Sequence, residues 1–381
     1  MSMNGWNTVL DDIEPSAIRS FSNLAKHTPG CVALTLGEPD IDTDPAIEAE
    51  INTAFIEKET HYIPNAGTMD LRQAVADHEK KNGMDYIPEE VIVTDGATEG
   101  LFLALFSVLN PGDEVIIPTP CFVLYEQIVR LCRCTFVPYD AMKENGQISY
   151  AHLKSLITPK TKAIVLNSPN NPTGTILHDA SLQAVHDAVK GTGIYVIADD
   201  VYRSFVYTDG YHSITEYHDL RDQMILVQSF SKPYAMTGWR MGYVCAPLWL
   251  SEKMTLVHQY MVTSTPSLFQ RACIKALAVD PKPFVERCHK RRDFVLERLE
   301  KMGLCAAEPE GAFYVFPSIE PFHMKSLDFC MDLLEKKKAA LTPGSAFHGE
   351  GHVRISYCAS EKNIEEGMNR LEAYVKEIRH D

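Results

Sequence analysis

Seven short apolar runs, separated by turns and helical patterns, constrain this chain more than any other feature. They are EVIVTDG, DEVIIPTP, CTFVPYD, AIVLNSPNNP, IYVIADDVY, MILVQSFSK and MGYVCAP. Most are apolar throughout rather than alternating, as expected of strands covered on both faces. Strands alternating with helices predict an α/β fold, with a mostly parallel seven-stranded sheet between helices.

The pattern changes outside residues 46–280. Before it lie a helical stretch, PSAIRSFSNLAKH, and a short strand, VALTLGEPD, which breaks at Gly37. After it come a long charged helix, PKPFVERCHKRRDFVLERLEKMG, then GAFYVFP, another helix, AALTPGSAF, HVRISYCA and a final helix. These ends predict a smaller α+β domain from 1–45 and 281–381, beside a large domain at 46–280. The chain's 381 residues suffice for both. The run EKKKAA, 335–340, reads as a solvated helix end.

Composition narrows the function. A net charge of -15 argues against nucleic-acid binding, which needs a basic face. No apolar run is long enough to cross a bilayer, and the N-terminus shows no signal-peptide pattern. The ten cysteines are scattered, with no CxxC or Cys/His cluster, so no metal site is expected. Cysteines in apolar segments read as buried hydrophobes in a reducing compartment, and the expected location is cytoplasmic.

Ligands of open α/β sheets bind at the carboxyl ends of the strands, and unusual residues gather there. VIVTDGATEG places Ala97 and Thr98 at a helix N-terminus, a ready anion site or simply a turn. NSPNNPTG is either a rigid turn or a binding loop. Asp199 and Asp200 end an apolar strand, so each needs a partner or caps the next element. Lys232, in SFSKPYAMTGWR, is a loop lysine or a tuned amine. Arg354, inside the strand HVRISY, wants a bidentate anion or an internal salt bridge. Together these groups could hold a phosphorylated pyridine aldehyde and an amino acid.

The ordered motifs LGEPD, HYIPNAGTMDLR, TDGATEG, NSPNNPTG, ADDVY, SFSKPYAMTGWR and VRIS run over nearly the whole chain. In this order and spacing the chain resembles the fold type I, pyridoxal-phosphate-dependent aminotransferases of class I/II. The resemblance implies roles. Lys232 would carry pyridoxal 5'-phosphate as a Schiff base. Asp199 would pair with the ring nitrogen, and Tyr202 and Asn171 with the phenolic oxygen. Phe122 would stack on the ring. Ser229, Ser231, Arg240 and the Ala97 and Thr98 backbone would bind the phosphate. Arg354 would grip the substrate α-carboxylate beside Gly37 and Asn171. Tyr62 would reach the neighbouring subunit's site, which implies a homodimer.

The sequence departs from the family pattern in places. Asp200 stands where many relatives carry glutamate, and Pro233 follows the lysine. Thr98 stands where some relatives that act on acidic amino acids carry lysine, and no arginine for a distal carboxylate can be assigned. The implied activity is transfer of an amino group between an L-amino acid and a 2-oxo acid such as 2-oxoglutarate. A β-eliminating lyase on the same scaffold would use the same cofactor residues.

Overall fold

The apolar runs become strands because each has two faces to cover. In the computed structural model, which describes residues 5–379, all seven join one sheet. Its order is Val91–Asp95, Met241–Cys245, Met224–Ser229, Tyr195–Asp199, Thr161–Asn167, Glu114–Thr119, Thr135–Asp140. Met241–Cys245 runs antiparallel to both neighbours, and the other six strands share one direction.

Successive side chains enter opposite cores, as the two-residue period requires. Ile92, Val165, Ile197, Val227 and Val244 pack against helices Gly96–Val108, Leu124–Leu131 and Leu248–Met261. Val91, Val93, Leu226 and Cys245 face Pro45–Ile56, Met69–Lys81 and Ser267–Ala276. Ile164, Leu166, Val196 and Ala198 face Tyr150–Leu156 and Asp179–Val189. The edge strand Thr135–Asp140 is only partly buried. Edge position, rather than its sequence, sets that exposure.

The chain ends build a second layer. Tyr314–Val315, Val353–Ser356 and Thr342–Pro343 form a three-stranded antiparallel sheet. Val32–Ala33 pairs in parallel with Ala339–Ala340, tying the N-terminal segment to the C-terminal one. Phe21, Ala25 and Leu34 share one core with Phe284, Leu299, Phe329, Leu371 and Tyr374. The expected helix end at 335–340 needs correction. Helix Ser326–Lys337 stops at Lys338, whose φ of 55° is left-handed, and Ala339–Ala340 is a buried strand. Two alanines are too small to announce a strand by pattern.

Val201, Tyr202 and Phe205, just past the end of a large-sheet strand, join this second core. The carboxyl edge of the large sheet therefore abuts the small layer, and a cleft opens between them.

Candidate active site

Parallel register sets the cleft floor. Asn167 pairs with Asp199 at the ends of neighbouring strands, and Ser229 ends the next strand over. The cleft has a volume of about 490 Å³. Every residue expected in the site lines it except Tyr62, which is 92% exposed elsewhere on the surface.

At one end lies an anion cradle. Helix Gly96–Val108 starts at the cleft with no side-chain cap, so its first N–H groups stay open. Gly96 adopts a φ of +69°, and a Cβ there would lie 2.4 Å from Arg240 Nη2. The glycine thus lets the guanidinium sit against the helix start. Arg240 is itself left-handed at φ 57° and donates from Nη1 to the Thr237 carbonyl at 2.9 Å. Ser229 and Ser231 are buried beside it, with Ser231 N donating to Ser229 Oγ at 3.0 Å. A guanidinium, two hydroxyls and helix N–H groups together suit a phosphate dianion.

The middle holds an acid and an amine. Asp199, 3% exposed, accepts from Tyr125 Oη at 2.6 Å and from Val201 N at 3.4 Å. Burial pushes its carboxyl up to about 6, against the pull of those donors. It is therefore mostly ionised at neutral pH without a cation of its own. Lys232 Nζ donates to the Gly37 carbonyl. Burial, with Arg354 and Arg240 nearby, lowers the Lys232 ammonium below its ordinary value, while Cys358 and Glu38 oppose this.

The far end holds Arg354, 2% exposed. Its Nη1 donates to Asn171 Oδ1 at 2.7 Å and its Nη2 to the Thr35 carbonyl at 2.6 Å. The guanidinium lies between the rings of Tyr314 and Phe347, at 4.5 and 4.6 Å. Nε has no partner, and among the described residues no carboxylate pairs with this arginine. An internal salt bridge is thereby set aside. Burial lowers its pKa, the signature of a cation without a counter-charge.

Two more site residues escaped sequence reasoning. Tyr125 lies on the buried face of an amphipathic helix and gives no signal of its partner Asp199. Tyr314 reads as a strand aromatic, yet its hydroxyl meets that of Tyr202 at 2.8 Å. Asp200, in contrast, turns away from the cleft lining and accepts from Ser213 Oγ at 2.7 Å, with Arg203 at 3.8 Å.

The family model for aminotransferase class I and II matches residues 29–371. The chain belongs to the class I and II aminotransferases. It is 40% identical over 371 residues to a Bacillus subtilis protein described as a probable N-acetyl-LL-diaminopimelate aminotransferase, covering 96% of this chain and 94% of the relative. It is 39% identical over 380 residues to an aspartate aminotransferase of Pyrococcus abyssi, covering 97% of each. An aromatic-amino-acid aminotransferase of Thermococcus litoralis is 37% identical over 380 residues, again covering 97% of each. The solved aspartate aminotransferase from Thermus thermophilus with maleate superposes at a TM-score of 0.93 and 33% identity, over 97% of this chain and all of that one. This aminotransferase thus belongs to an enzyme family that uses pyridoxal phosphate. Its relatives carry three different substrate names, so kinship alone does not choose among them.

Proposed function

We propose that this aminotransferase moves an amino group between an L-amino acid and a 2-oxo acid, with 2-oxoglutarate as acceptor. Pyridoxal phosphate would be held between Lys232, Asp199 and the Arg240 cradle. The observation that carries this reading is Arg354: a buried guanidinium without a carboxylate, in the same cleft as Lys232 and Asp199. Breaking such a charge out of water is costly, so it implies an anion that arrives with the substrate.

When bound, the cofactor supplies an aldehyde for the substrate amine and a ring that takes up electrons from Cα. The chain's residues do the rest. Arg240, Ser229, Ser231 and the N–H groups of Ala97 and Thr98 bind the phosphate. Phe122 would cover the ring, and Asp199 would hold the proton on the ring nitrogen. Tyr202 and Asn171 donate to the phenolic oxygen. Arg354 would bind the α-carboxylate, with Gly37 lining the same cleft. Lys232, depressed by burial, takes and returns the Cα proton. Two exposed cations on the cleft wall, Arg19 and Lys26, support a second carboxylate on the oxo acid. Neither forms an ion pair among the described residues.

Tyr62 is exposed and outside its own cleft, which supports a homodimer in which it serves the neighbouring site. The shared core of the two chain ends supports a division into domains at 46 and 280, although Tyr202 joins that core from the large sheet. Among the described residues no helix is long and apolar enough to cross a membrane. The ten cysteines are all unpaired, which supports a reducing, cytoplasmic location.

The test is a panel of half-reactions, amino acid by amino acid, read from the cofactor spectrum without oxo acid. A transferase stops after one turnover and restarts on 2-oxoglutarate. Continuous release of ammonia and pyruvate would instead establish a lyase. Lys232→Ala should abolish the lysine-bound absorbance and the activity together.

A further inference from the structure

Tyr202 has one phenolic proton, and the function above needs that proton aimed into the cleft. What aims it is not Tyr202 itself. Tyr314, on the small-sheet strand Tyr314–Val315, is 2% exposed and places its hydroxyl 2.8 Å from that of Tyr202. Only one proton can lie on the line between two hydroxyl oxygens. If Tyr202 donates, its proton points away from the cleft. If Tyr314 donates, the Tyr202 proton is free to face it.

The charges around the pair favour the second arrangement. Burial raises both phenols; on Tyr314 the Arg354 guanidinium, 4.5 Å from the ring, is the main opposing charge, whereas on Tyr202 the pull of Arg354 is countered by Asp199, so Tyr314 is the more acidic. The other titratable groups facing the pair are Cys358, beside Tyr314, Tyr125, bonded to Asp199 near Tyr202, and Lys232 in the same cleft. The more acidic phenol is the better donor. Residue 37 leaves room for the Tyr314 hydroxyl only because it is glycine: a Cβ there would fall 1.7 Å from it.

We propose that Tyr314 is a positioning residue, whose hydroxyl donates to Tyr202 and thereby directs the Tyr202 proton toward the cofactor's phenolic oxygen. This rests on the role given above to Tyr202. A chain of two hydrogen bonds also polarises, so the Tyr202 donor is stronger than a lone phenol.

The test uses the holoenzyme and the pH titration of its lysine-bound absorbance. A donor to the phenolic oxygen stabilises the anion there and lowers the pKa of the adjoining nitrogen. Tyr202→Phe should therefore raise the titration midpoint. Tyr314→Phe, which keeps the ring on Arg354, should raise it by about half a unit. The double variant should titrate as Tyr202→Phe does, because without Tyr202 the second hydroxyl has nothing to direct. Gly37→Ala, which displaces the Tyr314 hydroxyl without removing it, should move the midpoint in the same direction. A shift with Tyr202→Phe but none with Tyr314→Phe overturns the proposal and leaves the role of Tyr202 intact. Full additivity in the double variant also overturns it. No shift with Tyr202→Phe removes both.

Discussion

Arg354 offers the sharpest test of the site, because charge and geometry there can be changed separately. Arg354→Lys keeps a cation but loses the planar fork, and with it one of two charge-assisted bonds to a carboxylate. Such a bond contributes about 1.5–3 kcal/mol, or roughly 10- to 150-fold in kcat/KM. Arg354→Met leaves the substrate carboxylate buried without a counter-charge, at a cost of about 3–5 kcal/mol, or roughly 150- to 5000-fold. Stability should respond differently. The methionine relieves a buried cation whose desolvation costs several kcal/mol. It also leaves Asn171 Oδ1 and the Thr35 carbonyl without their donors, at roughly 1–3 kcal/mol each. The two effects oppose each other, so the melting temperature should move only slightly. The assay is the single-turnover half-reaction, run with an L-amino acid and with the matching amine that lacks the α-carboxylate. Slow turnover of the amine should be nearly indifferent to both substitutions. If the amine loses as much as the amino acid, Arg354 holds structure rather than substrate, and the reasoning fails.

Asp199→Asn removes the one carboxylate on the cleft floor, and half-reaction rates should fall by roughly 10²- to 10³-fold; rates within a few-fold of wild type would refute its pairing with the ring nitrogen. Asp200→Asn tests the neighbouring acid through stability. Burial, which outweighs the opposing Arg203, raises the Asp200 carboxyl to about 7, whereas an unfolded aspartate titrates near about 3.9. The native state thus holds the extra proton between these values, and stability falls as pH rises through that window. Thermal melts should show the asparagine variant gaining on wild type from about pH 4 to 7, then levelling; parallel curves would contradict this. Gly96→Ala should weaken cofactor retention on dialysis at least tenfold, since its Cβ would meet Arg240 Nη2 at 2.4 Å. Gly193→Ala, at a φ of +75° with nothing within 4 Å, shares the backbone strain alone and should retain cofactor normally. Sedimentation should give twice the 42.7 kDa chain mass, and Tyr62→Phe should loosen cofactor in that dimer.

The large sheet was legible because it is written in short range. Each buried strand is a continuous apolar run, and each functional residue at its carboxyl end is polar where the run stops. Lys232, Asp199, Asn171 and Arg354 stand out for that reason: each is a residue type that an apolar context does not tolerate without cause. What escaped is what depends on distance. Tyr125 meets Asp199 across 74 residues, and Tyr314 meets Tyr202 across 112. Tyr125 is on the buried face of an amphipathic helix and Tyr314 in an apolar strand, and an aromatic in either place reads as core whether or not its hydroxyl is used. Arg19 escaped for the opposite reason. It lies on the charged face of an amphipathic helix, where a solvated arginine needs no explanation until the cleft is seen beside it. The pair Ala339–Ala340 misled because strand pairing to Val32–Ala33 is decided by the partner, not by alanine.

The cleft also reverses the charge of the chain that holds it. The whole sequence carries -15, yet the lining places Arg19, Lys26, Lys232, Arg240 and Arg354 against only Asp199 and Glu38. A concentration of like charge would be self-repelling in an empty structural role, and among the described residues none of these five cations makes an ion pair with a carboxylate. The excess of three positive charges is close to what a phosphate of about -2 and one carboxylate would bring. A bound cofactor phosphate and a substrate carboxylate would supply the counter-ions for that excess. Two consequences follow from this balance. The acidic exterior should repel anions at long range while the cleft attracts them at short range, so rising salt should weaken the exterior repulsion more than the attraction within the cleft. A neutral amino acid would satisfy Arg354 and leave Arg19 and Lys26 unanswered, whereas a dicarboxylic amino or oxo acid would answer both ends, so the cleft should favour dicarboxylic substrates in both half-reactions.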